Sequence, residues 1–265
     1  MKRNEKNGVV YFTFENLETT GMVRHGFSSR VGGISQGHFA SMNLGFSTGD
    51  NSETVKENRR IFCSAVGFDY DKIVGLKQIH STDIVSANKT PLPTDMQGDG
   101  LITDFPGITL VTYYADCVPL LFFDPTRRVI ANCHAGWRGT AHNMAGKAVQ
   151  KMMADYGCNP RDILAGIGPS ISCKNFEVGS EVVHEFKNLL PFSTEFMYNS
   201  KSKFEKYHID LWGINKQSLI TEGVPEENIE MAELCTFDDE THFYSHRRNG
   251  SDRGSLAAFI EIVEG

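Results

Sequence analysis

Residues 115–140 read ADCVPLLFFDPTRRVIANCHAGWRGT, and this stretch holds two apolar runs on either side of a turn. Val118–Asp124 and Val129–His134 are rich in Val, Leu, Ile and Phe, a composition that favours strands. Pro125, directly after the first run, is typical of a turn. The stretch therefore predicts an antiparallel hairpin.

The hairpin places a cysteine beside a histidine. If its turn is centred on the two residues that follow the proline, Asp124 faces Val129 and Pro119 faces His134, so that Cys117 is a diagonal neighbour of His134. Residues 117 and 119 share a face of the strand, and diagonal neighbours lie roughly 7–8 Å apart. The spacing predicts either a shared metal ion or a thiolate–imidazolium pair.

An amphipathic helix follows the hairpin. Apolar residues recur at i, i+3, i+4 and i+7 from Ala141 to Tyr156, and Gly157 is typical of a helix end. Residues 136–140 are therefore expected to form a strand-to-helix turn, where free N–H groups and the helix dipole favour an anion. Arg138 adds a forked cation. The sequence thus predicts an anion site beside the cysteine and histidine.

The composition is that of an ordinary soluble protein. The chain has 265 residues, a net charge of −7, 40% hydrophobic and 22% charged residues, and a pI near 5.7. No strongly basic cluster and no apolar run of membrane-spanning length is present, so neither nucleic acid nor a membrane is expected as a partner. We expect one domain over residues 1–265, in a monomer or a homodimer.

The cysteines and the amino-terminal residues favour a cytoplasmic location. The six cysteines are scattered without CxxC pairs, which argues against a structural zinc finger or a disulfide framework. No apolar segment typical of a signal peptide follows Met1. Strands and helices are mixed along the chain, and several strands meet through hairpins. This pattern favours an α+β fold with mixed sheets over a doubly wound parallel sheet.

Several motifs together identify a family resemblance. They are Lys77-Gln78-Ile79-His80, Gly98-Asp99-Gly100-Leu101-Ile102-Thr103, Ala115-Asp116-Cys117, His134-Ala135-Gly136-Trp137-Arg138-Gly139, Ile167-Gly168-Pro169 and Ser245-His246-Arg247-Arg248. With these motifs the chain resembles the laccase-domain family, also called the polyphenol oxidase or peptidoglycan editing factor family. The resemblance runs from about His25 to the carboxyl terminus.

The resemblance implies a fold, an activity and a metal site. The implied fold is an α+β sandwich of mixed sheets flanked by helices. The implied activity is phosphorolysis of adenosine, inosine, guanosine and methylthioadenosine, together with adenosine deamination. The implied metal ligands are His80, Cys117 and His134. The chain departs from the family at His246, which replaces a tyrosine, at Ser251-Asp252-Arg253, which replaces Thr-Gly-Arg, and at Phe176.

Two imidazoles and one thiolate suit zinc, with copper as the alternative. Catalytic zinc commonly keeps three protein ligands and an open fourth position, and a water there ionises near neutral pH, as deamination requires. Cys117 is alternatively a nucleophile with His80 or His134 as its base. In the plainest interpretation, Cys117 is a buried cysteine, and His80 and His134 are hydrogen-bonded core histidines.

Candidate substrate contacts follow from the chemistry of phosphorolysis, which needs cations and N–H donors around phosphate. Arg138 is the first candidate for phosphate, and Arg30 and Arg247 are further ones. Asn43 either contacts the purine nucleoside or caps its own turn. Asp116 either orients a histidine or bonds within its own turn.

Three rival functions remain open at this point. A copper polyphenol oxidase is disfavoured because the chain has nine histidines but no His-x-His pair. A cytoplasmic thiol hydrolase acting on muropeptide precursors requires Cys117 to be nucleophilic and free of metal. A non-enzymatic zinc protein requires an occupied fourth ligand position.

Overall fold

The computed structural model of the protein describes residues 1–88, 92–93, 95–200 and 205–263. Within these residues the strands are β1 (Lys2–Lys6), β2 (Val9–Thr13), β3 (Val23–Ser28), β4 (Ile73–Val74), β5 (Ile84–Ser86), β6 (Gly100–Thr103), β7 (Thr109–Tyr114), β8 (Val118–Asp124), β9 (Val129–Ala135), β10 (Leu164–Ile167), β11 (Glu177–Gly179), β12 (Met197–Asn199), β13 (Lys206–Ile209), β14 (Ile229–Met231) and β15 (Leu256–Ile262). The α-helices are α1 (Glu15–Glu18), α2 (Ser52–Val66), α3 (Trp137–Ala141), α4 (Met144–Tyr156), α5 (Ser180–Leu189), α6 (Leu211–Thr221) and α7 (His246–Asn249).

The strands form two six-stranded sheets and one three-stranded sheet among the residues described. The first sheet has the order β1-β2-β3-β15-β7-β4, the second β14-β10-β8-β9-β6-β5, and the third β11-β13-β12. Most neighbours are antiparallel, whereas β4 with β7, β5 with β6, and β10 with β14 are parallel. The sheets are therefore mixed, as the sequence predicts.

The two large sheets pack face to face, and helices cover their outer faces. The core between the sheets includes Leu121 and Ile130 from the second sheet and Phe27 and Ile260 from the first, all buried. A second core lies under α4, α5 and α6, on the outer face of the second sheet. A third lies under α2, on the outer face of the first sheet. The predicted α+β sandwich of mixed sheets flanked by helices is confirmed.

The predicted hairpin forms with the predicted register. β8 and β9 pair antiparallel, with Asp124 opposite Val129 and Pro119 opposite His134. Cys133 points to the opposite face from His134 and is fully buried beneath the helices, as strand alternation predicts. The register therefore places Cys117 and His134 on the side that faces the first sheet.

The helix after the hairpin begins later than the periodicity predicts. Ala141 ends α3, and a separate helix, α4, begins at Met144. The break occurs because Asn143 adopts a left-handed conformation with φ +60° and its side-chain oxygen accepts a hydrogen bond from the Gly146 N–H, at 3.2 Å. This arrangement is a helix N-cap, which starts a new helix rather than continuing the old one. Gly157 ends α4 in the left-handed conformation, as predicted.

The length and polarity of the helices bear on the membrane prediction. Of the helices in the described part of the chain, none is both long enough and apolar enough to cross a bilayer.

Candidate active site

Three potential metal ligands come together at one end of the hairpin. His134 lies near the end of β9, Cys117 directly precedes β8, and His80 lies in the loop between β4 and β5. One donor atom from each residue lies within 4.8 Å of the others. His134 is buried, Cys117 is half-buried and His80 is exposed. The sequence-predicted triad is thus assembled in space, with its exposed side at His80.

The space beside the three donors is kept open by a glycine. A Cβ atom on Gly136 would lie 2.8 Å from Nδ1 of His80 and 3.2 Å from Sγ of Cys117. Any side chain here would crowd two of the three donors. Two imidazoles and one cysteine sulfur form a donor set that suits zinc or copper.

One buried carboxylate holds two of the three ligands in place. Asp99 accepts hydrogen bonds from the backbone N–H groups of Ile79, His80 and Ser81, at 3.2, 3.1 and 2.6 Å. It also lies 2.9 Å from Nδ1 of His134, which leaves Nε2 of that ring for the shared centre. These contacts support the left-handed backbone of His80, whose φ is +59°. Asp99 therefore fixes both the loop of one histidine and the ring of the other.

Neighbouring groups offset the burial of His134 and Asp99 but not that of His80. Burial disfavours the imidazolium form of His134, but the Cys117 sulfur and the Asp99 carboxylate outweigh it and raise the pKa of His134 to about 9. Burial likewise opposes the charge of Asp99, but hydrogen bonds from His134 and the backbone lower the pKa of Asp99. Burial and the neighbouring His134 lower the pKa of His80. Such opposed pKa shifts in one cluster are typical of functional sites.

Asp116 has a different role from either that the sequence suggests. It bonds neither a histidine nor its own turn. Its carboxylate accepts hydrogen bonds from the Thr236 hydroxyl at 2.6 Å, the Ser245 hydroxyl at 3.0 Å and the Arg247 N–H at 2.6 Å. These hydrogen bonds fix Asp116, the residue before Cys117, to the start of α7.

The triad lies in the wall of a cleft of about 1270 Å³. Its lining combines aromatic residues, which suit a flat ring, with more basic than acidic side chains. The aromatic residues are Phe46, Tyr70, Tyr113, Tyr114, Trp137 and Phe176. The basic residues are Arg59, Lys77, Arg247 and Arg253, and the acidic ones are Asp71 and Asp116. The cleft has the mixed apolar and polar lining of a small-molecule site.

Of the predicted substrate-binding residues, Arg247 lines the cleft and Arg138 does not. Nη1 of Arg247 donates hydrogen bonds to the carbonyls of Asn175 and Glu177, at 3.2 and 2.8 Å. Arg138 is exposed, and its guanidinium lies 4.2 Å from the centre of the Trp137 ring. Both substrate-binding roles stay predictions.

Arg30 and Asn43 are also absent from the cleft lining. Arg30 donates to the carbonyl of Ala40 through Nε and Nη2, and its guanidinium lies over the Tyr244 ring. Asn43 is buried, and its amide bonds other groups of its own loop and of the carboxyl-terminal strand, namely Gly45, Thr48, Asp50 and Ser255. Of its two open interpretations, these contacts match the turn cap. The proposed substrate roles of both residues stay untested.

Other cleft residues were missed from the sequence. The Arg59 guanidinium lies 4.0 Å from the ring centre of Phe46 and 4.8 Å from that of Tyr113. The Gln78 side chain accepts from the Tyr113 N–H at 2.7 Å and donates to its carbonyl at 3.0 Å. Arg253 lines the cleft near Cys117. Arg59 gives no signal because it lies on an ordinary polar helix face, whereas Arg253 belongs to a stretch that departs from the family pattern.

Comparison with known proteins gives consistent matches over nearly the whole chain. Residues 24–263 match a family model described as multi-copper polyphenol oxidoreductase laccase. A protein of Bacteroides thetaiotaomicron named purine nucleoside phosphorylase is 34% identical over 257 residues, covering 94% of this chain and 95% of the relative. One of Geobacillus stearothermophilus, named purine nucleoside phosphorylase YlmD, is 35% identical and covers 89% of this chain and 88% of its own. The crystal structure of the hypothetical protein YfiH of Bacillus licheniformis has a TM-score of 0.90, with 30% identity and 98% coverage of both chains.

Proposed function

Since this chain belongs to the family described by the multi-copper polyphenol oxidoreductase laccase model, and relatives of similar length are named purine nucleoside phosphorylases, we propose that it is a purine nucleoside phosphorylase. Its proposed substrates are adenosine, inosine, guanosine and methylthioadenosine, and it also deaminates adenosine. The observation that carries this proposal is the convergence of His80, Cys117 and His134 on the wall of a cleft with an excess of basic residues.

The proposed metal is zinc, with copper as the alternative, held by His80, Cys117 and His134. When bound, the ion supplies a Lewis acid and an open coordination position. The chain's contribution is to present Nε2 of His134, because Asp99 occupies Nδ1, and to keep Gly136 free of a side chain. These features support the proposal because metal-binding histidines usually donate their second N–H to a carboxylate.

Phosphorolysis exchanges one bond for another at C1′ of the ribose. A phosphate oxygen forms a bond to C1′ while the bond to the purine nitrogen breaks, and its electron pair leaves with the purine, which takes up a proton. The products are free base and ribose 1-phosphate, or methylthioribose 1-phosphate. The basic residues of the cleft oppose the charge of phosphate, and Trp137 and Phe176 offer rings for the base.

A cytoplasmic location and a single domain over residues 1–265 complete the proposal, in a monomer or a homodimer. All six cysteines are free thiols in the structure. Free thiols of this number suit a reducing compartment.

The deciding experiment uses purified wild type and Cys117→Ala with adenosine or inosine, with and without phosphate. Mass spectrometry follows free base, ribose 1-phosphate and inosine. We expect phosphate-dependent base release and phosphate-independent deamination of adenosine, both lost in the variant. Absence of base release and of deamination from every purine nucleoside tested would refute the proposal.

A second candidate is favoured by one specific observation. Cys117, His134 and Asp99 form a thiol–imidazole–carboxylate series, the arrangement that activates a nucleophilic cysteine. It supports a cytoplasmic cysteine hydrolase that edits muropeptide precursors. Removal of metal separates the two candidates: a chelator should abolish nucleoside turnover, whereas a cysteine hydrolase should cleave muropeptides without metal. Oxidation of a phenol in copper-loaded protein would instead indicate a polyphenol oxidase.

A further inference from the structure

Arg253 is a half-buried arginine in the cleft wall whose guanidinium is only partly engaged. Nη1 donates to the Gly254 carbonyl at 3.0 Å and lies 3.3 Å from the Ser255 hydroxyl. Nε is buried and has no hydrogen-bond partner. Within the described ranges Arg253 forms no ion pair, in contrast to the arginines that do have carboxylate partners, which are Arg3, Arg24, Arg60 and Arg248.

A buried N–H group without an acceptor is unusual in a folded protein. An arginine donates through a planar fork of N–H groups, which suits bidentate contact with a carboxylate or a phosphate. In Arg253 the hydrogen bonds to the protein use Nη1, so that Nε remains to be satisfied. Nε itself is enclosed by protein, so an oxyanion in the cleft would bind the part of the guanidinium that lines it.

The nearest carboxylate does not supply that partner. Burial lowers the pKa of Arg253, and the Asp116 carboxylate opposes that shift. The carboxylate of Asp116 already accepts from Thr236, Ser245 and the backbone of Arg247. Arg253 therefore forms no direct ion pair with Asp116, although the charge of that carboxylate acts on it.

The charge of the whole cleft agrees with this conclusion. Its lining carries four basic and two acidic side chains, whereas the whole chain has a net charge of −7. Arg247, the other arginine close to Asp116, already donates to the carbonyls of Asn175 and Glu177. Arg253 is thus the arginine near Cys117 with a buried donor left over.

We propose that Arg253 anchors the phosphate co-substrate through the part of its guanidinium that lines the cleft, beside the His80, Cys117 and His134 triad. The inference rests on the proposed function, since it assigns a subsite of the same cleft. It places phosphate at Arg253 rather than at Arg138, which the sequence favours but which does not line the cleft.

The test compares Arg253→Gln and Arg253→Lys with wild type. The matched control is Arg3→Gln, which also removes one positive charge but at an exposed pair with Glu5 on β1. For inosine phosphorolysis we expect Arg253→Gln to raise KM for phosphate by about tenfold or more, with KM for inosine changed less than about threefold. Arg253→Lys keeps the charge but loses the fork, so its KM for phosphate should lie between those of wild type and Arg253→Gln.

A second measurement does not depend on turnover. Equilibrium dialysis with radiolabelled inorganic phosphate measures its binding to each metal-loaded protein, and thermal melting and metal content show whether each variant is folded. Phosphate bound by wild type and Arg3→Gln but lost in Arg253→Gln supports the inference. If Arg253→Gln does not fold, Arg253→Lys decides in its place.

The outcomes separate the inference from the proposed function. An unchanged KM and unchanged phosphate binding in the Arg253 variants would overturn the inference while leaving phosphorolysis intact. If wild type shows no phosphorolysis, the proposed function fails, and the dialysis measurement alone decides whether Arg253 binds phosphate. Wild type that neither turns over nor binds phosphate would overturn both.

Discussion

Each of the two six-stranded sheets contains a buried histidine, and the two rings have opposite protonation behaviour. His25 on β3 and His134 on β9 are equally buried, each at 3% exposure. His25 accepts a hydrogen bond from the Phe14 N–H at 2.7 Å and stacks on the Phe14 ring. Burial lowers the pKa of His25 to about 4, whereas the pKa of His134 is raised to about 9.

The difference lies in the partners and not in the degree of burial. His25 has a backbone N–H as its partner, which fits a neutral ring whose Nε2 carries no proton. His134 has the Asp99 carboxylate on one side and the Cys117 sulfur on the other, which favour a charged ring. A buried histidine is therefore structural by default, and it becomes a candidate for chemistry when a carboxylate and a cysteine sulfur flank its ring.

The largest expected effect comes from removing the sulfur that distinguishes His134. We expect Cys117→Ala to lose the bound metal and to lower kcat/KM by about a thousandfold or more, because a ligand and an anion disappear together. Metal analysis and steady-state assays measure both effects. The matched control is Cys133→Ala. Because Cys133 points to the opposite face of β9 from His134, this variant should cost about 1 kcal/mol of stability but keep metal and activity. Retention of metal by Cys117→Ala would remove Cys117 from the ligand set.

The other histidine should dominate the loss of stability in mild acid. Because the pKa of His25 is about 4 in the folded state and near 6.5 in the unfolded chain, the unfolded chain binds the extra proton between these values. The contribution of His25 to stability is therefore fully present above pH 6.5. It is lost as the pH drops towards 4, which costs about 3 kcal/mol.

Urea unfolding at pH 7 and pH 4.5 measures this loss. The control is His25→Gln, whose amide oxygen can accept from the Phe14 N–H but does not titrate. We expect wild type to lose more stability than the variant over this interval. Equal losses in the two proteins would show that His25 is not buried in its neutral form.

The sequence predicts the part of this contrast that depends on residues close together in the chain. The hairpin register, and with it the pairing of Cys117 with His134, follows from strand alternation and a short turn, because the partners lie 17 residues apart in one supersecondary unit. Strand alternation likewise assigns Cys133 to the core. Only the family resemblance predicts that His80 belongs to the site, because His80 lies in a loop and not in the hairpin.

The part that the sequence does not predict depends on contacts between distant segments. Asp99 reads as a turn residue between two glycines, but in the structure its carboxylate meets both the loop at 79–81 and His134. Arg253 and Arg59 reach the cleft from segments far apart in the chain. Arg138 looks like an anion ligand because it follows a strand, yet its side chain lies on the Trp137 ring outside the cleft.

Removing the charge of the Asp99 carboxylate is a second way to make His134 resemble His25. We expect Asp99→Asn to weaken metal binding by about 10- to 100-fold, since the amide is neutral and no longer accepts all of the N–H groups that now bond the carboxylate. The pKa of His134 in the metal-free variant should fall. Competition with a chromophoric chelator measures the affinity, and NMR titration of the ring measures the pKa. An unchanged affinity would mean that Asp99 supports the fold rather than the ligands.

The smallest expected effect is also the most selective, because it alters the space beside the ligands without changing a ligand. Gly136 has φ −65°, a value that alanine adopts freely, so that Gly136→Ala should leave the backbone in place. Its Cβ would lie 2.8 Å from Nδ1 of His80 and 3.2 Å from Sγ of Cys117. We expect metal affinity to fall by about tenfold, with His80, the exposed ligand, displaced first.

Gly139→Ala, three residues further along the same helix start, is the control for this change. A Cβ at Gly139 would have its nearest neighbour at 3.5 Å, an ordinary contact, so metal affinity should stay at the wild-type value. Chelator competition compares the two variants, and thermal melting checks that both are folded. Equal affinities in wild type and Gly136→Ala would show that the His80 ring moves aside without cost. Cys117 and His134, the two less exposed ligands, would then hold the metal largely by themselves, and the contrast with His25 would depend on those two residues and Asp99 alone.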